Sequence, residues 1–171
     1  MTTMTKFRWF WAWDDGKEEL WLREMSQNGW HFETVTFPGN FTFKEGKPKD
    51  YVYRLDYNPD KDDVENYRQI FEDAGWDYMG EMNAWQYFRK EAVKGESMEI
   101  FTDGASKAKK YQRIMLFMTA MFPVIFISMM NISRADGTFY QVFSVILSVI
   151  MIVYVYAVAR LLGRITQLLK K

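Results

Sequence analysis

Hydrophobic and polar positions change their period several times along this chain. Near the start, Phe7, Trp9, Trp11 and Trp13 alternate with Arg8, Phe10 and Ala12, and a period of two predicts a strand over 6–13. Asp14 then stands at a helix N-cap position, and Glu18 and Glu19 suit the positive end of the helix dipole. Gly29 supplies the left-handed residue that stops this helix. Segments 30–36 and 40–44 read as a hairpin about Pro38-Gly39. Further on, Tyr51, Tyr53, Leu55 and Tyr57 share a strand face, and Asp60 leads into a helix with the apolar stripe Val64, Tyr67, Phe71 and Ala74. Gly75 ends that helix, and 76–81 pairs with 84–90.

The order strand, helix, strand, strand thus occurs twice, at an ungapped offset of 46. Gly29-Trp30 falls on Gly75-Trp76, Phe7 on Tyr53, Trp9 on Leu55, Trp11 on Tyr57 and Asp14 on Asp60. Trp21 falls on Tyr67, Phe32 on Tyr78, Phe41 on Tyr87 and Lys44-Glu45 on Lys90-Glu91. This predicts tandem βαββ repeats, 6–45 and 52–91, within one α+β domain of residues 1–95. The expected architecture is a pseudo-twofold sandwich of effector-binding-like form, with a ferredoxin-like strand order as the alternative.

Beyond residue 113 the period gives way to unbroken apolar character. Residues 114–133 carry no formal charge, nor do 137–159. At about 1.5 Å per helical residue, each run covers the roughly 30 Å hydrocarbon core of a bilayer. Buried helices of soluble domains rarely stay apolar around their whole circumference for this length. The expectation is a pair of transmembrane helices, 114–133 and 139–162, joined through 131–138 as a tight antiparallel hairpin. Pro123 predicts a kink. Gln141, Ser144, Ser148, Val155 and Ala159 form a stripe for packing against the first span or against a second copy, which would make a homo-oligomer. No ionisable group lies deeper than Arg160, so the chain alone offers no transport path.

Lys107, Lys109, Lys110 and Arg113 precede the first span, Arg160, Arg164, Lys170 and Lys171 follow the second, and only Arg134 lies between. That asymmetry predicts a multi-pass protein of the cell membrane with both termini cytoplasmic. Met1–Thr5 shows no signal-peptide pattern and leads straight into the aromatic alternation. Segment 96–113 reads as a linker and basic juxtamembrane stretch, with Asp103 or Ser106 capping the helix that enters the bilayer. Segment 163–171 reads as a basic tail, either lying on the inner leaflet or simply ending the second helix.

Charge and composition then narrow the chemistry. The 22 Lys/Arg and 22 Asp/Glu cancel overall, yet residues 1–105 hold 13 bases against 21 acids, a net of −8. An acidic soluble part predicts no nucleic-acid partner. With no Cys and one His, thiol nucleophiles, disulfide scaffolds and the usual zinc sites have no residues to use. His31 reads as a structural or surface residue. Asp60, Asp62 and Asp63 lack the glycine and terminal glutamate of a calcium loop and read as helix-start charges. No nucleophile elbow, phosphate loop or dinucleotide fingerprint occurs, and no carboxylate pair has separated environments. The expectation is a protein that is not an enzyme and carries neither metal nor cofactor.

All seven Trp lie before residue 86. Either they fill the core of a small domain, or they line a groove between the repeats for an apolar or cationic ligand. In the groove reading Trp9, Trp11, Tyr53 and Tyr57, on equivalent strands, form the floor, and Trp13 and Trp85 the rim.

Several runs together resemble a bacterial membrane-associated family known as domain of unknown function 2812. They are Lys6-Phe-Arg-Trp-Phe-Trp-Ala-Trp13, Glu19-Leu-Trp-Leu-Arg-Glu-Met25, Asn28-Gly-Trp-His31, Tyr51-Val-Tyr-Arg-Leu-Asp-Tyr57, Glu72-Asp-Ala-Gly-Trp76 and Ile100-Phe-Thr-Asp103. The resemblance covers about 6–110 and implies no catalytic residue, since the family has none assigned. It implies a regulatory setting beside PadR-type repressors as possible protein partners. The function expected is a membrane-tethered cytosolic binding or regulatory module, with the lipid bilayer and a ligand or protein as its partners. The alternative is a structural or immunity-like membrane subunit acting through its hairpin.

Overall fold

The computed structural model describes residues 2–60, 62–95, 98–100, 104–132 and 137–170. It contains two compact units, residues 1–102 and 103–171.

In the first unit the elements run β1 (Thr3–Phe7), α1 (Asp15–Gln27), β2 (Trp30–Thr36), β3 (Asn40–Glu45), β4 (Tyr51–Tyr57), α2 (Val64–Asp73), β5 (Asp77–Met82) and β6 (Trp85–Glu91). They form two antiparallel three-stranded sheets, in the orders β1-β3-β2 and β4-β6-β5. Each βαββ repeat makes its own sheet with the same strand order, so the fold is α+β and duplicated. The likeness reaches fine detail. A bulge interrupts β2 between Phe32 and Thr34, and another interrupts β5 between Tyr78 and Gly80, 46 positions on. Gly29 and Gly75 end their helices at φ +82° and +81°, where any other L-residue is strained.

The offset of 46 holds from the ends of the helices through β2 and β5 and fails on either side. The first hairpin turns through three residues, Phe37 to Gly39, and the second through two, Asn83 and Ala84. Phe43 therefore corresponds to Phe88, one position short of the ungapped offset. On the leading strands, Phe7 pairs with Asn40 and Tyr57 with Trp85, so Phe7 is equivalent to Tyr57 and not to Tyr53. The aromatic alternation also overstated the first strand. β1 stops at Phe7 because its partner β3 begins at Asn40, and 8–13 is a loop.

α1 packs against both sheets. Its Trp21, Leu22 and Met25 join Phe32, Val35, Phe41 and Phe43 of the first sheet and Tyr53, Leu55 and Tyr87 of the second in one core. The opposite face of the second sheet, Val52 and Phe88, packs with Phe71 and Trp76. Both faces of β4 are thus buried. Of the stripe expected on α2, Phe71 is buried, Val64 and Tyr67 are half-buried and Ala74 is exposed. Truncating Leu22 or Phe43, both fully buried, would cost about 2–5 kcal/mol.

The second unit is a hairpin of α3 (Gly104–Ile132) and α4 (Thr138–Leu169). Both helices are long and apolar enough to cross a membrane, and only 6% and 11% of their apolar stretches are buried. A core helix of a soluble domain would be mostly covered. The helices exceed the runs expected from charge at both ends. α3 takes in the basic segment 104–113, which places Ser106 inside the helix and not at its cap, and α4 continues through most of the tail. Asp103, the other expected cap, and residues 133–136 of the connection lie outside the described residues. The seam between the helices holds Ala108, Tyr111 and Ile114 against Ala157, Leu161 and Ile165. The Gly104 backbone abuts the Leu168 carbonyl, leaving no room for a side chain. Nearer the loop, the Tyr154 hydroxyl donates to the Met118 carbonyl at 2.9 Å. The stripe expected on α4 is partly displaced: Ser144 and Ser148 are half-buried, whereas Val155 and Ala159 face outward. The seam turns instead through Tyr154, Ala157 and Leu161.

Candidate functional site

Loop 8–13 is anchored through Arg8, Phe10 and Trp13. Phe10 points inward, with its ring 5.7 Å from Trp21 and 6.0 Å from Phe41. The Arg8 guanidinium lies over the Phe10 and Trp21 rings at 5.2 and 5.0 Å, and Arg8 N–H donates to the Gly39 carbonyl at 2.9 Å. With Phe10 inward, the neighbouring indoles turn outward. Trp9 meets Trp11 edge to face at 5.7 Å, and Trp11 stacks on Trp13 at 5.2 Å with planes 3° apart. Trp9 is 49% exposed and Trp11 44%, while Trp13 is 9%. Three indoles therefore form a ladder, its foot in the core and its top in solvent.

The groove expected from the sequence is not assembled as drawn. Trp9, Trp11 and Trp13 come together, but on a loop. Tyr53 is 1% exposed in the main core, beside Phe32 at 6.2 Å, and offers no surface to a ligand. Its placement follows from α1 covering that face of β4. Tyr57 and Trp85 pair across strands at 5.5 Å as a separate, half-buried couple.

A second feature escaped the sequence reading. Glu18 lies in the first turn of α1 but faces the second sheet, where the Tyr87 hydroxyl donates to its carboxylate at 2.7 Å. Both are buried, and so is neighbouring Asp15. Burial chiefly, with the charges of Asp15 and Glu19 adding and the Tyr87 hydrogen bond opposing, pushes the Glu18 carboxyl up to about 7. Burial, then the Glu18 charge, drives the Tyr87 phenol well above its ordinary value. The sequence did hold one signal: Glu18 shares the i, i+3, i+4, i+7 stripe with Trp21, Leu22 and Met25. Closed off from solvent and bonded to each other, Glu18 and Tyr87 act as a polar lock between the repeats.

The other acidic and basic groups serve the framework. Asp14 stands at the α1 N-cap, yet its carboxylate is taken by Lys17 at 2.7 Å. Helix α2 starts after Asp63, not Asp60, and the Asp63 carboxylate accepts from the Asn66 side chain at 2.9 Å. His31 Nε2 donates to the Lys47 carbonyl at 2.9 Å. Among the described residues, no three His, Cys, Asp or Glu side chains converge as a metal site would need.

Fold and site together define a duplicated βαββ unit, with an exposed indole ladder, joined to a hairpin of two apolar helices. The chain belongs to the family described as protein of unknown function (DUF2812), whose model matches residues 14–123. The match runs from the N-cap of α1 to Pro123 within α3, so it includes both sheets except β1 and leaves the whole ladder, Trp9, Trp11 and Trp13, outside. No curated protein and no solved structure matches the chain.

Proposed function

We propose that the chain is a non-enzymatic binding module tethered to the cell membrane. In this reading α3 and α4 cross the bilayer, the first unit faces the cytoplasm, and loop 8–13 presents Trp9 and Trp11 to a ligand or a protein partner. The observation that carries the reading is the indole ladder. Leaving half of two large aromatic side chains in water forfeits burial worth about 25 cal/mol per Å², and a stack fixed by Trp13 and Phe10 is already ordered for contact. Such a surface suits a flat apolar ring, a cationic group or an aromatic or Arg side chain of a partner. The eight bases outside the spans against one between them support the cytoplasmic orientation.

The test is capture of the full-length protein from its own membranes, compared with the Trp9→Ala/Trp11→Ala double variant. A partner or small molecule retained by the parent and lost from the variant is the expected result. Identical captured sets, lost only when the α3–α4 hairpin is exchanged for an unrelated one, would assign the function to the hairpin and reject the module.

A further inference from the structure

The two sheets are equivalent, but their outer edges are treated differently. In the second sheet, Asn58 N–H donates to the Ala84 carbonyl at 2.9 Å and Ala92 N–H to the Asp50 carbonyl at 2.8 Å. In an antiparallel ladder this alternation directs the even-numbered residues of β4 toward β6. Tyr51, Tyr53, Leu55 and Tyr57 therefore turn their backbone groups to the outer edge. α1 covers that edge: Leu55 N–H donates to Glu19 Oε1 at 2.9 Å and Tyr51 N–H to Ser26 Oγ at 3.4 Å.

The outer edge of β1 is left uncovered. Arg8 N–H donates to the Gly39 carbonyl and Glu45 N–H to the Thr2 carbonyl, each at 2.9 Å. The even-numbered residues again face the inner partner, and Thr3, Thr5 and Phe7 turn their N–H and C=O groups outward. Thr5 occupies the position of Leu55. Among the described residues nothing hydrogen-bonds these outward groups, and Thr3, Thr5, Lys6 and Phe7 are all exposed. An open edge of this kind is a template for another strand.

We propose that β1 pairs antiparallel with β1 of a second copy of this chain, centred on Thr5, joining two three-stranded sheets into one of six strands. The strand is self-complementary in that register. Thr5 opposes Thr5, Thr3 opposes Phe7, and Lys6 opposes Met4, so no like charges meet. The Thr5, Thr3 and Phe7 pairs each exchange both backbone bonds, and a threonine pair directly across an antiparallel ladder is favourable. Such a contact closes on itself by a twofold axis, as an isologous dimer requires. One face of β1 is tied to the core through Met4, and the other, Thr3, Thr5 and Phe7, is exposed. A foreign strand would find the same outward backbone groups but not the matched threonine pair at the centre of this register. The inference does not depend on the indole ladder.

The chain contains no cysteine, so Thr5→Cys introduces a single reactive position. In a hydrogen-bonded antiparallel pair the Cα atoms stand about 5.5 Å apart, within disulfide range. Mild oxidation of the full-length variant in whichever fraction it occupies should yield a disulfide-linked dimer. Thr36→Cys, exposed at the far end of β2, should yield several-fold less. Adding Phe7→Pro to Thr5→Cys removes one outward N–H and leaves the bonds to β3 intact; it should lower the yield several-fold with unchanged tryptophan emission. Equal crosslinking at 5 and 36, or a Thr5→Cys yield indifferent to Phe7→Pro in a folded chain, would overturn the proposal. A crosslinked species of another mass would also overturn it, by giving the edge to a different partner. Because the readout does not require a membrane fraction, its failure is separable from that of the membrane reading.

Discussion

Glu18→Gln exchanges a buried carboxyl for a neutral amide of nearly the same shape. In the folded protein the carboxyl is pushed from 4.5 to about 7, so the native state holds its proton more tightly than the unfolded chain does. The stability this contributes is complete below about pH 4.5, declines as pH rises, and is gone once pH has passed about 7. At about 1.4 kcal/mol per tenfold change in proton affinity, the swing is roughly 3 kcal/mol. Glu18 is 6% exposed, which leaves little solvent to screen it. Other carboxylates titrate in the same range, but their contributions cancel when variant and parent are compared at each pH. The assay is thermal unfolding of the full chain in lipid nanodiscs between pH 4.5 and 8.5, followed by tryptophan emission, which reports the first unit alone because all seven Trp lie there. Relative to the parent, Glu18→Gln should gain about 3 kcal/mol across that range, or more than about 10 °C in Tm for a domain of this size. A parent–variant difference that stays constant with pH would refute the burial argument.

Other outcomes follow from particular contacts. Tyr87→Phe removes the donor that stabilises the charged carboxylate, and should cost about 1–3 kcal/mol at pH 8.5 and less at pH 5, measured by the same unfolding series. Gly75→Ala should cost about 1–2 kcal/mol through its φ of +81° alone, because only the flexible end of Lys90 lies nearby. Gly29→Ala should cost more, since its new Cβ would also meet the Gly46 carbonyl oxygen at 2.8 Å; denaturant midpoints will rank the two. Ala84 sits at φ +68° in the second hairpin turn, after Asn83 at +50°. Ala84→Gly should therefore stabilise the domain by about 0.5–1 kcal/mol, read as a raised midpoint at constant slope.

Much of the architecture was legible from local patterns. The helix stops Gly29 and Gly75, the β2–β3 hairpin and the twin apolar runs each depend on residues close together in sequence. The two main misreadings share a cause, which is that the deciding partner lies far along the chain. The period of two was genuine, but over 9–11 it recorded Trp9 and Trp11 turning outward around an anchored Phe10, while Trp13 turns into the core. A strand ends where its partner ends, and β3 starts at Asn40. Tyr53 likewise shares a surface-like alternation with Tyr51 and Tyr57. Only the docking of α1 from the preceding repeat onto the second sheet buries it. That docking also turns Glu18 inward, so a charge that suits a helix N-terminus becomes a buried lock. The ladder Trp9–Trp11–Trp13 was legible as an aromatic cluster, though not as a loop.

In the proposed arrangement α3 and α4 cross a bilayer and hold the duplicated unit on its cytoplasmic side. Single cysteines at Thr138, where α4 begins, and at Thr34, on β2, test it in whole cells with a membrane-impermeant thiol reagent. Thr138→Cys should be labelled in intact cells and Thr34→Cys only after permeabilisation, with the protein resisting alkaline extraction from membranes. Labelling of Thr34→Cys from outside, or release of the protein by alkaline extraction, would contradict it.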